Sequence, residues 1–232
     1  MTTALPYAVS AAVGLPETVL PESLIARLPE AASVAPAPWA TKCQVVSWLH
    51  AIDSDAAAIL PEPIRRDGLS IVAWALVRYD ETPVGPYNEI AATLLPDDGI
   101  GHIPFIVVDS LPSIVGGRAN WLLPKALARF DWSDDFASVA VSPLEPATPA
   151  WSVSLHIEAS GQATPLTIPS NLQQVATDGH VGGCAGTMEG AMRSATVTVD
   201  GHADGPLAAL LKPGAYDGTI QSECTFTCGP LA

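Results

Sequence analysis

Proline and glycine divide this chain so often that long helices have little room to form. There are 22 prolines and 18 glycines among 232 residues. Proline fixes φ and lacks a backbone donor, while glycine opens turn conformations closed to other residues, so between them they set the length of each element. The segments they leave at 44–50, 70–79, 87–95 and 102–109 are runs of valine, isoleucine and aromatic residues, and are expected to be antiparallel strands. Further strands are expected at 137–141, 152–158, 194–199 and 218–227. A short helix fits the alanine-rich stretch 54–60, with Asp53 as its N-cap and Pro61 as its stop. A second helix is expected at about 115–123, where Pro124 ends it and leaves Lys125 on a defined corner, and a third at 207–211. Residues 1–40, with Pro16, Pro21, Pro29, Pro36 and Pro38, read as a proline-rich arm lying over the body. With no internal repeat or long linker, the economical architecture is one α+β domain over residues 1–232, built on a large curved antiparallel sheet with a few short helices.

Composition narrows the function. A 48% hydrophobic content supplies ample material for a core, and a formal charge of -14 would repel both nucleic acid and anionic membrane. No basic residue precedes Arg27 and no long apolar segment opens the chain, so neither a signal peptide nor a membrane span is expected, and the expected location is cytoplasmic. Cys43, Cys184, Cys224 and Cys228 are too few and too scattered for a disulfide framework, and no CxxC or HExxH pattern offers zinc its usual spacing. Cys224 and Cys228 read as small buried residues, and the glycine-rich stretch 179–186 as a flexible turn.

Lysine occurs only three times, and Lys125 sits inside the apolar run Trp121-Leu122-Leu123-Pro124-Lys125-Ala126-Leu127. Burial among such neighbours penalises an ammonium, so the expectation is a lowered pKa and a neutral amine able to attack a carbonyl. The plainer reading is a lysine whose stem covers the core while its charge reaches water.

Several segments bear jointly on this choice. Leu60-Pro61-Glu62-Pro63, Gly85-Pro86-Tyr87-Asn88-Glu89, the run from Val108-Asp109-Ser110-Leu111-Pro112 through Gly116-Gly117-Arg118, and Pro124-Lys125 follow in order over the central half of the chain. Together they resemble the acetoacetate decarboxylase family, with its Tyr-x-Glu pocket motif, its Asp-x-x-Pro-x-x-x-Gly-Arg stretch and a Schiff-base lysine after proline. The resemblance implies a double-barrel-like fold, a reactive lysine in a largely closed apolar cavity, and a homo-oligomer. Departures are visible too. Ala126 stands where the best-known members carry a second lysine, and positions near Trp74 and Lys42 fall where they have a pocket glutamate and a pocket arginine.

What the resemblance implies is a cofactor-free, metal-free carbon–carbon lyase in which Lys125 forms an imine with a small keto acid, with decarboxylation as the leading reaction. The open alternatives are an imine-forming aldolase or dehydratase of the same family, and a non-enzymatic barrel binding a small hydrophobic carbonyl or carboxylate ligand. Glu89 is the expected proton shuttle. Tyr87, two residues earlier on the same strand face, would orient substrate. Arg118 either binds a substrate carboxylate or ties Asp109 or a strand end in place. Trp74 and Trp121 are expected to line the cavity.

Overall fold

The computed structural model describes residue 15 and residues 19–53, 58–65, 71–133, 136–144 and 150–232. Its elements in chain order are helix α1 (Glu22–Ile25) and strands β1 (Trp39–Ala51), β2 (Ile71–Glu81), β3 (Tyr87–Leu95) and β4 (His102–Val108). Helix α2 (Leu111–Trp121) and strands β5 (Lys125–Trp132), β6 (Ser138–Pro143), β7 (Trp151–Ala159), β8 (Thr164–Val175) and β9 (Val181–Ala203) follow. Helix α3 (Leu207–Leu210) and strand β10 (Gly214–Cys228) complete the list. None of the described helices is long and apolar enough to cross a membrane.

The strands join in the order β10-β1-β2-β3-β4-β5-β6-β7-β9-β8, and β9 also pairs with β10, so the sheet closes on itself. Every pairing is antiparallel except β4 with β5, where Ile106 lies beside Lys125 and α2 makes the crossover that a parallel pair requires. Two strands divide their free edges between two neighbours. β9 pairs with β8 through residues 181–192 and with β7 through residues 195–203. β4 pairs with β5 near its end, whereas just before its start Gly101 accepts from Gln173 N and donates to Asn171 O, each at 2.9 Å. The result is two rings with a common wall. One runs β9-β10-β1-β2-β3-β4-β5-β6-β7 and the other β10-β1-β2-β3-β4-β8-β9. This is the double-barrel-like fold on a large curved sheet.

Strand alternation assigns the shared wall's side chains to the two rings. Val46 and Trp48 of β1, Val72, Trp74 and Leu76 of β2, Ile90, Ala92 and Leu94 of β3, and Phe105 and Val107 of β4 enter one continuous core with Val139, Val141, Val153, Leu155, Val197 and Val199. The Trp48 and Trp74 rings stack there with centroids 5.8 Å apart, and the Trp74 indole donates to Leu210 O. The first ring is therefore packed solid, and the opposite faces of β1, β2 and β3 are free to line the second.

Expected strands over 44–50, 70–79, 87–95, 102–109, 137–141, 152–158, 194–199 and 218–227 all lie on observed strands, with ends shifted or extended, and the last helix falls at 207–210. The central helix starts four residues earlier than expected, at Leu111. The expected helix at 54–60 lies largely on residues outside those described. The turn expected across 179–186 is overturned: residues from Val181 onward are strand, held on one edge by β8 and, from Gly186, on the other by β10. Strand β8 escaped notice because Pro165 and Pro169 argue against a central strand, and it is an outer strand where such prolines are tolerated.

His102, at the seam of the second ring, is 3% exposed, and its Nδ1 lies 3.1 Å from Gln173 O. Burial lowers its pKa from 6.5 to about 4, against the upward pull of that carbonyl. Above pH 6.5 the imidazole is neutral in both folded and unfolded chains. As pH falls from 6.5 towards 4 the unfolded chain gains a proton that the folded one refuses, and stability drops by roughly 1.4 kcal/mol per pH unit. Denaturant unfolding at pH 7, 5.5 and 4 should therefore show a shallower acid loss for His102→Gln than for the parent, and parallel losses would contradict this account.

Candidate active site

Each piece of the Asp109–Lys125 segment has an identifiable task. Asp109 accepts from the backbone of Asn88 at 2.8 Å and from its side chain at 2.6 Å, clamping the end of β4 onto β3 one residue from Glu89. Ser110 caps α2 by accepting from Ser113 N, and Pro112 occupies the first turn, where its missing donor costs nothing. The helix ends with Leu122 in the left-handed region at φ 56°, where Leu122 N donates to Arg118 O and Leu123 N to Gly117 O. Pro124 then turns the chain into β5, whose first residue is Lys125. The lysine thus begins a strand in the sheet instead of standing on a helix corner.

Two glycines and an arginine fit the lysine into place. A Cβ on Gly117 would stand 2.5 Å from Lys125 Cδ and 2.7 Å from its Cε, so the helix can lie against the lysine stem only with glycine there. On Gly116 a Cβ would meet the Trp39 ring at 2.5 Å. Arg118, itself buried, donates from Nε to Lys125 O at 2.8 Å. This bond ties the end of α2 to the start of β5, and the Arg118 side chain is not among those lining the cavity.

The lysine amine meets three residues from two elements, β3 and α2. Lys125 Nζ donates to Glu89 Oε2 at 2.6 Å, to Ser113 Oγ at 3.1 Å and to Tyr87 Oη at 3.3 Å. Tyr87 and Glu89 alternate on one face of β3, and Tyr79 stands opposite Tyr87 on β2, donating to Glu89 Oε1 at 3.3 Å. Lys125 is 3% exposed and Glu89 7%, so the pair sits in a low-dielectric setting where its attraction is strong and its desolvation costly.

This environment reverses the sequence expectation for the amine. Burial does pull the Lys125 pKa down, but the Glu89 carboxylate and the Tyr87 hydroxyl outweigh it and hold the ammonium form above its ordinary 10.5. Burial pushes Tyr87 up to about 12 and Tyr79 also upward, so both phenols keep their protons as donors. The amine is thus held in its ammonium form, donating to Glu89 Oε2.

A cavity of about 340 Å³ opens from this cluster inside the second ring. Lys125, Glu89, Tyr87 and Trp121 line it, with Tyr79, Cys43, Cys228 and Trp39 close to the amine end. Trp74, expected in this wall, is on the opposite face of β2 and belongs to the packed ring, because an even-numbered neighbour of Ala73 and Ala75 must point away from them. Lys42 also points outward, pairing with Glu81 at 2.9 Å. Ser113 and Tyr79 were not singled out from sequence. Tyr79 follows the same alternation as Tyr87 and Glu89, a signal that appears once the β2–β3 register is known, whereas a helix serine reaching a strand lysine has no local signature. The four cysteines are free thiols, with Cys184 and Cys228 Sγ 3.8 Å apart. Among the described residues no three His, Cys, Asp or Glu side chains gather as a metal ion requires.

Residues 26–154, more than half of the chain, match the family model described as acetoacetate decarboxylase (ADC). The structure of an acetoacetate decarboxylase from Legionella pneumophila subsp. pneumophila str. Philadelphia 1 is similar, with TM-score 0.53 and 15% identity over 85% of this chain and 88% of that one. The enduracididine biosynthesis enzyme MppR, complexed with the condensation product of pyruvate and imidazole 4-carboxaldehyde, gives 0.54 and 15% over 84% and 88%. An acetoacetate decarboxylase-like enzyme from Sphingomonas wittichii RW1 gives 0.56 and 14% over 86% and 93%. At these identities the likeness establishes the fold. No curated protein matches the chain.

Gly117→Ala tests the fit of the lysine. The added methyl displaces the Lys125 stem while improving helix propensity by up to about 1 kcal/mol. The variant should keep the parent's circular dichroism yet alter the rate at which an amine-acylating reagent labels Lys125, read by peptide mass spectrometry, because the amine is moved off Glu89 and Ser113. An unchanged labelling rate would show that the amine tolerates the shift.

Proposed function

The chain belongs to the acetoacetate decarboxylase family, and from that membership we propose that it is a lysine Schiff-base enzyme acting on a small keto acid, with decarboxylation as its reaction. The observation that carries this reading is the 2.6 Å contact of Lys125 Nζ with Glu89 Oε2 at the buried end of an apolar cavity.

In the reaction, Glu89 takes a proton from the ammonium, and the freed amine attacks the keto carbon, forming a C–N bond while the carbonyl oxygen gains a proton. Loss of water leaves a protonated imine. The bond to the carboxylate carbon then breaks, carbon dioxide departs, and the electron pair moves into the imine to give an enamine. Protonation of the enamine carbon, from Glu89 or a water it orients, and hydrolysis return the ketone and the amine. Tyr87 and Ser113 hold the nitrogen throughout, and Tyr79 holds the far oxygen of Glu89. Ala126 supplies no charge, so in this reading the carboxylate, not a second cation, sets when the amine is free.

A second reading is an aldolase or dehydratase that uses the same imine. It is favoured by the likeness to MppR, whose bound molecule is a condensation product of pyruvate and an aldehyde.

Incubation with a panel of keto acids followed by borohydride and peptide mass spectrometry should place the added mass on Lys125, and Lys125→Ala should abolish it; adducts on other lysines alone would refute the assignment. Released carbon dioxide separates decarboxylation from aldol chemistry. Glu89→Gln removes the larger of the two influences that oppose burial and leaves only that of Tyr87, so the Lys125 pKa should fall below that of the parent. Imine trapping should persist near neutral pH while turnover drops roughly 10²- to 10⁴-fold. Equal loss of trapping and turnover would instead make Glu89 a residue that only holds the lysine.

A further inference from the structure

The shared wall is built asymmetrically. On the packed side, β2 presents Val72, Trp74 and Leu76, each at most 1% exposed. On the cavity side the same strand presents Ala73 and Ala75, and in the register Ala75 lies beside Ala91 of β3. Three alanines therefore occupy mid-sheet positions where larger side chains would fill the ring, and the space above them is the middle of the cavity. A bulge between β3 and β4 separates the pairs Ala92–Phe105 and Leu94–His102, so Ile103 joins Ile106 on the cavity side although they are three residues apart.

The cavity is long and carries little charge. Along β3 it is lined successively by Tyr87, Glu89, Ala91, Thr93 and Leu95, and from Glu89 to Leu95 the strand advances about 20 Å, further than an extended ten-carbon chain reaches. Its volume of about 340 Å³ is that of roughly eleven waters at about 30 Å³ each, more than a four-carbon keto acid requires. Among the described lining residues Glu89 and Lys125 alone carry charge, and they are paired with each other. Beyond them the walls are mainly alanine, valine, isoleucine, leucine and methionine, and the far end reaches Gly99 and β8, where Ile168 is 37% exposed.

We propose that the substrate carries an unbranched apolar chain, with its carbonyl at Lys125 and the chain laid over Ala73, Ala75 and Ala91 towards Leu95 and Ile168. The position of the carbonyl rests on the Schiff-base function proposed above, whereas the chain's place rests on the alanine floor and the uncharged walls. Over the alanine floor an ionised group finds no counter-charge among the described lining residues and loses its hydration, so the chain is a hydrocarbon there, whereas the far end, at exposed Ile168 and beside Ser170 and Asn171, is open to water.

A series of 2-alkanones from four to eleven carbons tests this by borohydride trapping at Lys125 and, independently, by isothermal calorimetry. Half-saturation should tighten roughly three- to fourfold per added methylene until the floor is covered. A chain of the same length carrying a carboxylate at its middle, over the alanine floor, should bind no better than the shortest ketone. Ala75→Phe should flatten the chain-length dependence. Trapping that is independent of chain length would overturn the inference and leave the imine chemistry standing. If no imine forms with any ketone, the Schiff-base function fails and calorimetry decides the chain alone: stepwise tightening lost in Ala75→Phe sustains it, and a flat series ends it.

Discussion

The wall formed by β1 to β4 and β10 serves two rings at once, and most of the molecule follows from that sharing. A strand with water on one side needs only an alternating pattern, but the middle of β3 has protein on both sides, and β4 is buried at every residue. The two faces have been given different tasks. One is filled with tryptophan, leucine, isoleucine and valine and closes the packed ring. The other is thinned to alanine at its centre and keeps its charged pair at one end. The hollow ring can stay hollow because its neighbour supplies the hydrophobic contacts that hold the common wall straight.

A buried ammonium is tolerable only with a partner, and the fold brings that partner from a strand distant in sequence. Glu89 is placed by the β2–β3 hairpin and by the Asp109–Asn88 clamp, while Lys125 is placed by the α2 crossover, the glycine at 117 and the arginine bond to its carbonyl. These constraints come from both sides of the site, so the 2.6 Å contact is a product of the whole β3-β4-α2-β5 unit. In the proposed reaction the same contact governs the chemistry, because the charge that makes the lysine tolerable in the core also favours its protonated form.

Much of this could be read in the chain because the site lies within local motifs. Tyr87 and Glu89 share a face by strand alternation, and Lys125 follows a proline after a glycine-arginine pair. What stayed hidden depends on partners far along the sequence. The Lys125 pKa could not be judged from its apolar neighbours alone, since its strongest opposing influence is 36 residues away. Trp74 was assigned to the cavity by alignment, but the β2 register turns it into the packed ring. β8 is irregular in composition, and its pairing with β9 is visible only once both are placed.

The two rings are closed with very different strength. The packed ring is sealed between β7 and β9 by a ladder running from Trp151–Ala203 to Ala159–Ala195, whereas the hollow ring meets across β4 and β8 at a short junction centred on Gly101 and Leu172. Opening free energies scale with the number of contacts released. Separating β4 from β8 therefore releases fewer bonds than separating β7 from β9, so local opening costs less on the hollow side. For the proposed function this puts the cheaper opening beside the cavity, away from the ladder that seals the packed ring.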